Sequence, residues 1–214
     1  MARSDKQNPP QAPVSVPDDT YLTLAAPAQG LYKEKGSKFL AFAYPVETEQ
    51  EIKDLIEKLR KEYYDARHHC YAYVLGSRQE VYRANDDGEP SSTAGKPIHG
   101  QILSFGLTNV LVVVVRYFGG TKLGTSGLIN AYKTATNDAL AQAETVEKVV
   151  MRAYGLRFPY ERMNQVMRIV KDLRLQVLGQ EADSECRMRV SVRLSECVRF
   201  EEKFTDARIS FVAE

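Results

Sequence analysis

The chain has 214 residues, with 29 Lys+Arg against 28 Asp+Glu, 43% hydrophobic residues, 3 His, 3 Cys and no Trp. At about 100–200 residues per domain, that is one large domain or two small ones, with enough apolar content for a packed core. The net charge of +1 excludes a globally basic nucleic-acid binder and an acidic solvating chain, so any nucleic-acid footprint must be a local patch. Cys70, Cys186 and Cys197 are odd in number, widely spaced and without a Cys-x-x-Cys pair, which argues for a reducing compartment. The longest aliphatic run, Val110 to Val115, is far shorter than the roughly 20 residues that span a bilayer. No apolar signal segment opens the chain, so a soluble, cytoplasmic protein with no membrane partner is expected.

Residues 1–19 are polar and carry Pro9, Pro10, Pro13 and Pro17, a composition that reads as a disordered tail. From Tyr21 to Pro45 the pattern is strand-like, with turns expected at Pro27–Gly30 and at Gly36. Thr48-Glu49-Gln50-Glu51 is a capping box, and Ile52, Leu55, Ile56, Leu59 and Tyr63 follow at helical spacing. His68–Leu75 and Glu80–Arg83 predict a hairpin about Gly76–Gln79. A polar loop, 85–95, leads to a helix reaching Phe105, with Ser92 or Thr93 as its cap. Val110–Val115 does not alternate and predicts a strand covered on both faces. A glycine-rich stretch, 119–127, joins it to a helix carrying Leu128, Ile129, Tyr132, Ala135, Ala139 and Leu140. Beyond Gln142 the reading is strand 147–158, helix 159–173, strands 176–182 and 185–194, helix 195–204 and strand 208–213. That β-α-β-β-α-β order is the ferredoxin-like unit. The expected division is a tail over 1–19, a first domain over 20–142 and a ferredoxin-like domain over 145–214.

Three constellations bear chemistry. Gly119, Gly120 and Gly124, with Arg116 and Lys122, bring backbone amides, cations and a helix start together, with Thr125 or Ser126 as its cap. Unsatisfied amides and the helix dipole both favour an anion there, most naturally the phosphate of a nucleic-acid backbone. The spacing is neither that of a Walker A loop nor Gly-x-Gly-x-x-Gly, and a tight strand-to-helix turn explains the same glycines. Asp86, Asp87, Glu89 and Ser91 form an acidic loop. It suits a structural or partner-contact role through Arg116 or Lys122, or, alternatively, Mg²⁺ through oxygen ligands. Arg187, Arg189 and Arg193 share one face of a strand whose other face is Cys186, Met188, Val190, Val192 and Leu194. The arginines can track phosphates, or they can lie on a solvated or covered face. His68 and His69 point to opposite sides of their strand and cannot share a metal. Cys70 with His99 has no spacing that marks a nucleophile and base. No catalytic residue, metal site or cofactor site is legible.

The stretches Asp86–Gly95 (DDGEPSSTAG) and Val112–Gly127 (VVVVRYFGGTKLGTSG), with His68-His69-Cys70-Tyr71-Ala72, resemble the signature of the YigZ/IMPACT family. The resemblance covers roughly residues 21–140. It implies an α+β protein: an N-terminal α/β sandwich like ribosomal protein S5 domain 2, followed by a C-terminal ferredoxin-like domain. The pair is similar in fold to domains IV and V of elongation factor G. Eukaryotic relatives act in translation control by competing for a kinase co-activator, with help from a separate N-terminal domain; this chain has a Pro-rich tail there, so the resemblance does not carry that partner over. The leading expectation is therefore a non-enzymatic binding protein linked to regulation of translation, with RNA or a ribosome-associated factor as partner. The alternatives are a Mg²⁺-dependent hydrolase or transferase acting on a phosphorylated substrate, and an adaptor that binds a regulatory protein.

Overall fold

The computed structural model describes residues 19–182 and 185–214. The expected tail over 1–18 lies outside them. Asp19, which composition assigned to that tail, is instead buried and anchored, as shown below.

The first half of the chain runs β1 (Thr20–Leu24), β2 (Ala28–Glu34), β3 (Ser37–Pro45), α1 (Glu49–Glu62), β4 (His68–Leu75), β5 (Val81–Asn85), α2 (Gly95–Ser104), β6 (Val110–Tyr117) and α3 (Gly124–Ala141). Five of these strands form an antiparallel sheet in the order β2-β3-β6-β4-β5. The β6 strand sits at its centre, which explains the unbroken valine run. Val110, Val112 and Val114 pack with α2 and α3 residues such as Ile98, Ile102, Tyr132 and Ala135. Leu111, Val113 and Val115 pack on the opposite face with Ile52 and Leu59 of α1. Each valine buried in this way contributes about 1.5–3 kcal/mol. The capping box forms as the sequence predicts: Thr48 Oγ1 accepts from Glu51 N, and Glu51 accepts from Thr48 N. Gly30 corrects one expectation. It lies within β2 rather than in a turn, and a Cβ there would stand 2.3 Å from Ala139 N of α3. The glycine therefore marks a helix–strand contact.

The second half runs β7 (Thr145–Val149), β8 (Met151–Phe158), a 3₁₀ turn (Tyr160–Arg162), α4 (Met163–Asp172), β9 (Gln176–Ala182), β10 (Cys186–Arg193), a 3₁₀ turn (Leu194–Glu196), α5 (Cys197–Asp206) and β11 (Ser210–Ala213). The expected single strand over 147–158 divides at Val150, because its parts join different sheets. The β7 strand pairs with β1 as a two-stranded ribbon, whereas β8 enters a sheet of order β11-β8-β10-β9. With α4 and α5 this is the β-α-β-β-α-β arrangement, all its strand pairs antiparallel. Tyr154, Leu156 and Phe158 of β8 meet Val166, Val170, Phe200 and Phe204 in a core that shares no residue with the first sheet's clusters.

Asp19 ties the two halves. Its carboxylate accepts from Arg193 Nε at 2.5 Å and Nη2 at 3.0 Å, and its carbonyl accepts from Val150 N at 2.7 Å. The Arg193 hydrogen bond, helped by Ser195, holds the Asp19 carboxyl well below the usual carboxylate range. No helix among the described residues is long and apolar enough to cross a membrane.

Candidate functional site

The acidic loop following β5 is a clamp whose carboxylates each have their own protein partners. Asp86 reaches forward to the start of α2, where it accepts from Ser92 N at 2.8 Å, Ala94 N at 3.0 Å and Gly95 N at 2.8 Å. The expected caps, Ser92 and Thr93, do not cap the helix: its N-cap is Ala94, with no side-chain cap bond, and Asp86 satisfies the free amides from outside. Asp87 accepts from His69 N and from Arg60 Nη2, both at 2.7 Å. Its φ of 42° is stabilised by Asn85 Oδ1, which accepts from Asp87 N at 2.8 Å. Glu89 is buried and accepts from Arg116 Nη1 at 2.5 Å and from the Tyr132 hydroxyl at 2.8 Å. Ser91 is exposed. Among the described residues, no group of three or more His, Cys, Asp or Glu side chains forms a metal-ligand set. Both oxygens of Asp86 and of Asp87 accept protein hydrogen bonds, and Glu89 Oε1 accepts two.

Arg116 was expected among the phosphate-binding cations, and its position corrects that. The side chain is only 6% exposed, turned inward to Glu89, with its guanidinium 5.4 Å from the Phe39 ring centroid and 5.7 Å from that of Phe118. Its Nε has no hydrogen-bond partner among the described residues. The strand β6 therefore directs Arg116 into the α2/α3 layer, where it braces the acidic loop. Cys70 is equally internal: its thiol donates to Asp86 O at 2.9 Å and lies 3.3 Å from the Tyr132 hydroxyl. Burial pushes this thiol upward in pKa and disfavours the thiolate. His99 stacks on Tyr82 instead of approaching Cys70 as a base. His68 Nδ1 bonds Asp87 O at 2.9 Å, while His69 is buried, with desolvation lowering its pKa.

What faces solvent is the glycine loop. Gly119, Gly120, Lys122 and Gly124 are all exposed. Gly120 has φ +88° with open space around it, and Gly119 lies against the β2–β3 turn, where a Cβ would be 2.0 Å from Gly36 C. Gly119 N donates to Ser37 Oγ at 3.1 Å, locking loop to turn. The N-cap of α3 is Leu123 and makes no side-chain cap bond. Thr125 and Ser126, expected as caps, lie inside the helix. The first amides of this 18-residue helix thus lack a capping side chain beside an exposed lysine.

Sequence reading missed the neighbours of this loop. The turn that touches Gly119 belongs to a hairpin carrying Lys33, Lys35 and Lys38, all exposed, with Lys33 and Lys38 directly opposite each other. The Lys-x-Lys-x-x-Lys spacing was visible, but only the β3–β6 pairing brings it beside residues 119–124. The three arginines of β10 have different circumstances. Arg187 is exposed, Arg189 makes three hydrogen bonds to Glu214 at 2.6–3.1 Å, and Arg193 holds Asp19.

A family model described as the Impact N-terminal domain matches residues 35–140. The chain is 32% identical over 190 residues to IMPACT family member YigZ of Escherichia coli, covering 88% of this chain and 93% of that protein. It is 36% identical over 147 residues to IMPACT family member YvyE of Bacillus subtilis, covering 69% and 68%. A crystal structure described only as a hypothetical protein superposes with a TM-score of 0.72 at 30% identity, covering 91% of this chain and 97% of that one.

Proposed function

The chain belongs to the IMPACT family, and from that premise we propose that it is a non-enzymatic, cytoplasmic RNA-binding protein linked to the regulation of translation. The contact is made with phosphate groups. The observation that carries this reading is the exposed glycine loop running into the uncapped start of α3, with Lys122 in the loop. Backbone amides there supply donors without a side chain in the way, and the helix dipole adds partial positive charge. Lys33, Lys35 and Lys38 widen the patch, and Arg187 adds a cation on the second sheet. A chain of net charge +1 can still bind RNA through such a local concentration of cations.

The enzyme alternative has less support, since the carboxylates it needs are committed to amides, Arg60, Arg116 and Tyr132. The test is a fluorescence titration of mixed-sequence RNA at low salt. Wild type binds, and Lys122→Ala, a change at an exposed side chain, binds more weakly by a similar factor on different sequences. No RNA binding by wild type would turn the glycine loop into a protein-binding surface and make a regulatory protein the partner.

A further inference from the structure

The outer face of the second sheet, away from α4 and α5, carries a trough of 480 Å³. One register row gives it depth. Gly155 of β8 and Gly179 of β9 stand on either side of Arg189, so only backbone flanks that side chain. The next row sets Arg157 directly opposite Arg187. Like charges in direct register on neighbouring strands destabilise a sheet. Among the described residues neither guanidinium is paired with a carboxylate, although Glu181 stands in register beside Arg187. Arg189 shows what this face accepts: it grips the Glu214 carboxylate through Nε and Nη2, at 2.9 Å and 2.6 Å to the same oxygen. Among the described residues no aromatic ring lines the trough, so an occupant is held by charge and not by stacking on bases.

We propose that this trough seats the phosphodiester backbone of RNA, with Arg157 and Arg187 as its free cations. In the absence of RNA, the Glu214 carboxylate holds the Arg189 position. The proposal rests on the RNA reading above, and it adds Arg157 to the binding residues and Glu214 as an internal competitor. A run of phosphates suits the face better than a single small anion, because it meets three guanidiniums together. It also brings enough charge to displace a two-point carboxylate from Arg189 in the presence of Glu181.

The experiment uses the full chain and mixed-sequence RNA, titrated at several salt concentrations, for wild type, Glu214→Gln, Arg157→Ala/Arg187→Ala and Lys122→Ala. Freeing Arg189 in Glu214→Gln adds one phosphate contact. It steepens the dependence of log K on log salt by about 0.7 and tightens low-salt binding about fivefold. The double arginine variant makes the dependence shallower by about 1.4. Arginine Nε–H resonances provide a second readout, with that of Arg189 shifting when RNA is added. Binding that depends on Lys122 but is unchanged by Glu214→Gln and by the arginine pair overturns this proposal and leaves the loop reading intact. Absence of RNA binding in every protein overturns both. If inorganic pyrophosphate shifts the arginine resonances and RNA does not, the trough takes a small ligand and RNA is the wrong occupant.

Discussion

Replacing Glu89 with alanine removes the carboxylate bonded to Arg116, and both side chains are almost fully buried, at 4% and 6% exposure. The guanidinium would then sit uncompensated between Phe39 and Phe118, with its Nε already lacking a hydrogen-bond partner among the described residues. Breaking a buried pair from one side costs about 3–5 kcal/mol. Tyr132 would also lose its acceptor. At roughly 2–4 °C per kcal/mol for a chain of this size, Tm falls by roughly 6–20 °C. The assay is urea and thermal unfolding followed by circular dichroism, with Arg60→Ala as the contrast. Arg60 is half exposed in its bridge to Asp87, so its loss costs at most about 1 kcal/mol. The double change Glu89→Leu/Arg116→Met removes both charges and should be milder than Glu89→Ala. A Glu89→Ala cost below about 1 kcal/mol would refute the claim that this pair braces the acidic loop.

Three further outcomes follow from the same geometry. Gly119→Ala should lower stability and disturb the loop, because its Cβ would overlap the backbone of Gly36; unchanged melting and unchanged amide spectra around Ser37 would contradict the close approach. The Asp19 carboxyl is depressed below its ordinary value of 3.8, so its stabilisation is fully present above that pH and is lost as pH falls through the lower, folded value. The stability difference between wild type and Asp19→Asn should therefore be constant near neutrality and shrink below pH 3.8, as read from urea midpoints; a difference that persists at the acid end would count against it. Finally, residues 151–214 expressed alone should fold, since their core is separate from the clusters of the first sheet. An unfolded fragment by amide dispersion would contradict a two-domain division.

Local patterns with a single physical cause were legible in the sequence. The capping box at Thr48 places α1 to the residue, and the buried run at 110–115 marks the sheet's centre because both faces of β6 are covered. The ferredoxin-like unit was legible from alternation and helical spacing, and its sheet order agrees. The misses came from tertiary pairings. The β1–β7 ribbon pairs residues as far apart as Thr20 and Val149, so nothing local to 147–158 announces the break at Val150. Asp19 carries no sign in a Pro-rich stretch that Arg193 will hold it. In the site, the type of each residue was informative and its direction was not. Arg116 alternates inward from β6, so a cation next to a glycine loop in sequence faces Glu89 in space. The caps of α2 and α3 were missed for a related reason. Asp86 serves α2 from nine residues before Gly95, and α3 begins without a side-chain cap.

The salt dependence of RNA binding in wild type and Lys122→Ala tests whether the glycine loop holds phosphate. If the glycine loop holds phosphate, log K falls linearly with log salt, and Lys122→Ala reduces the slope by about 0.7–0.9. The loss should be similar for RNAs of unrelated sequence, because phosphate contacts carry no sequence information. RNA binding with the same slope and affinity in wild type and Lys122→Ala would contradict the account, as would no RNA binding by wild type at low salt.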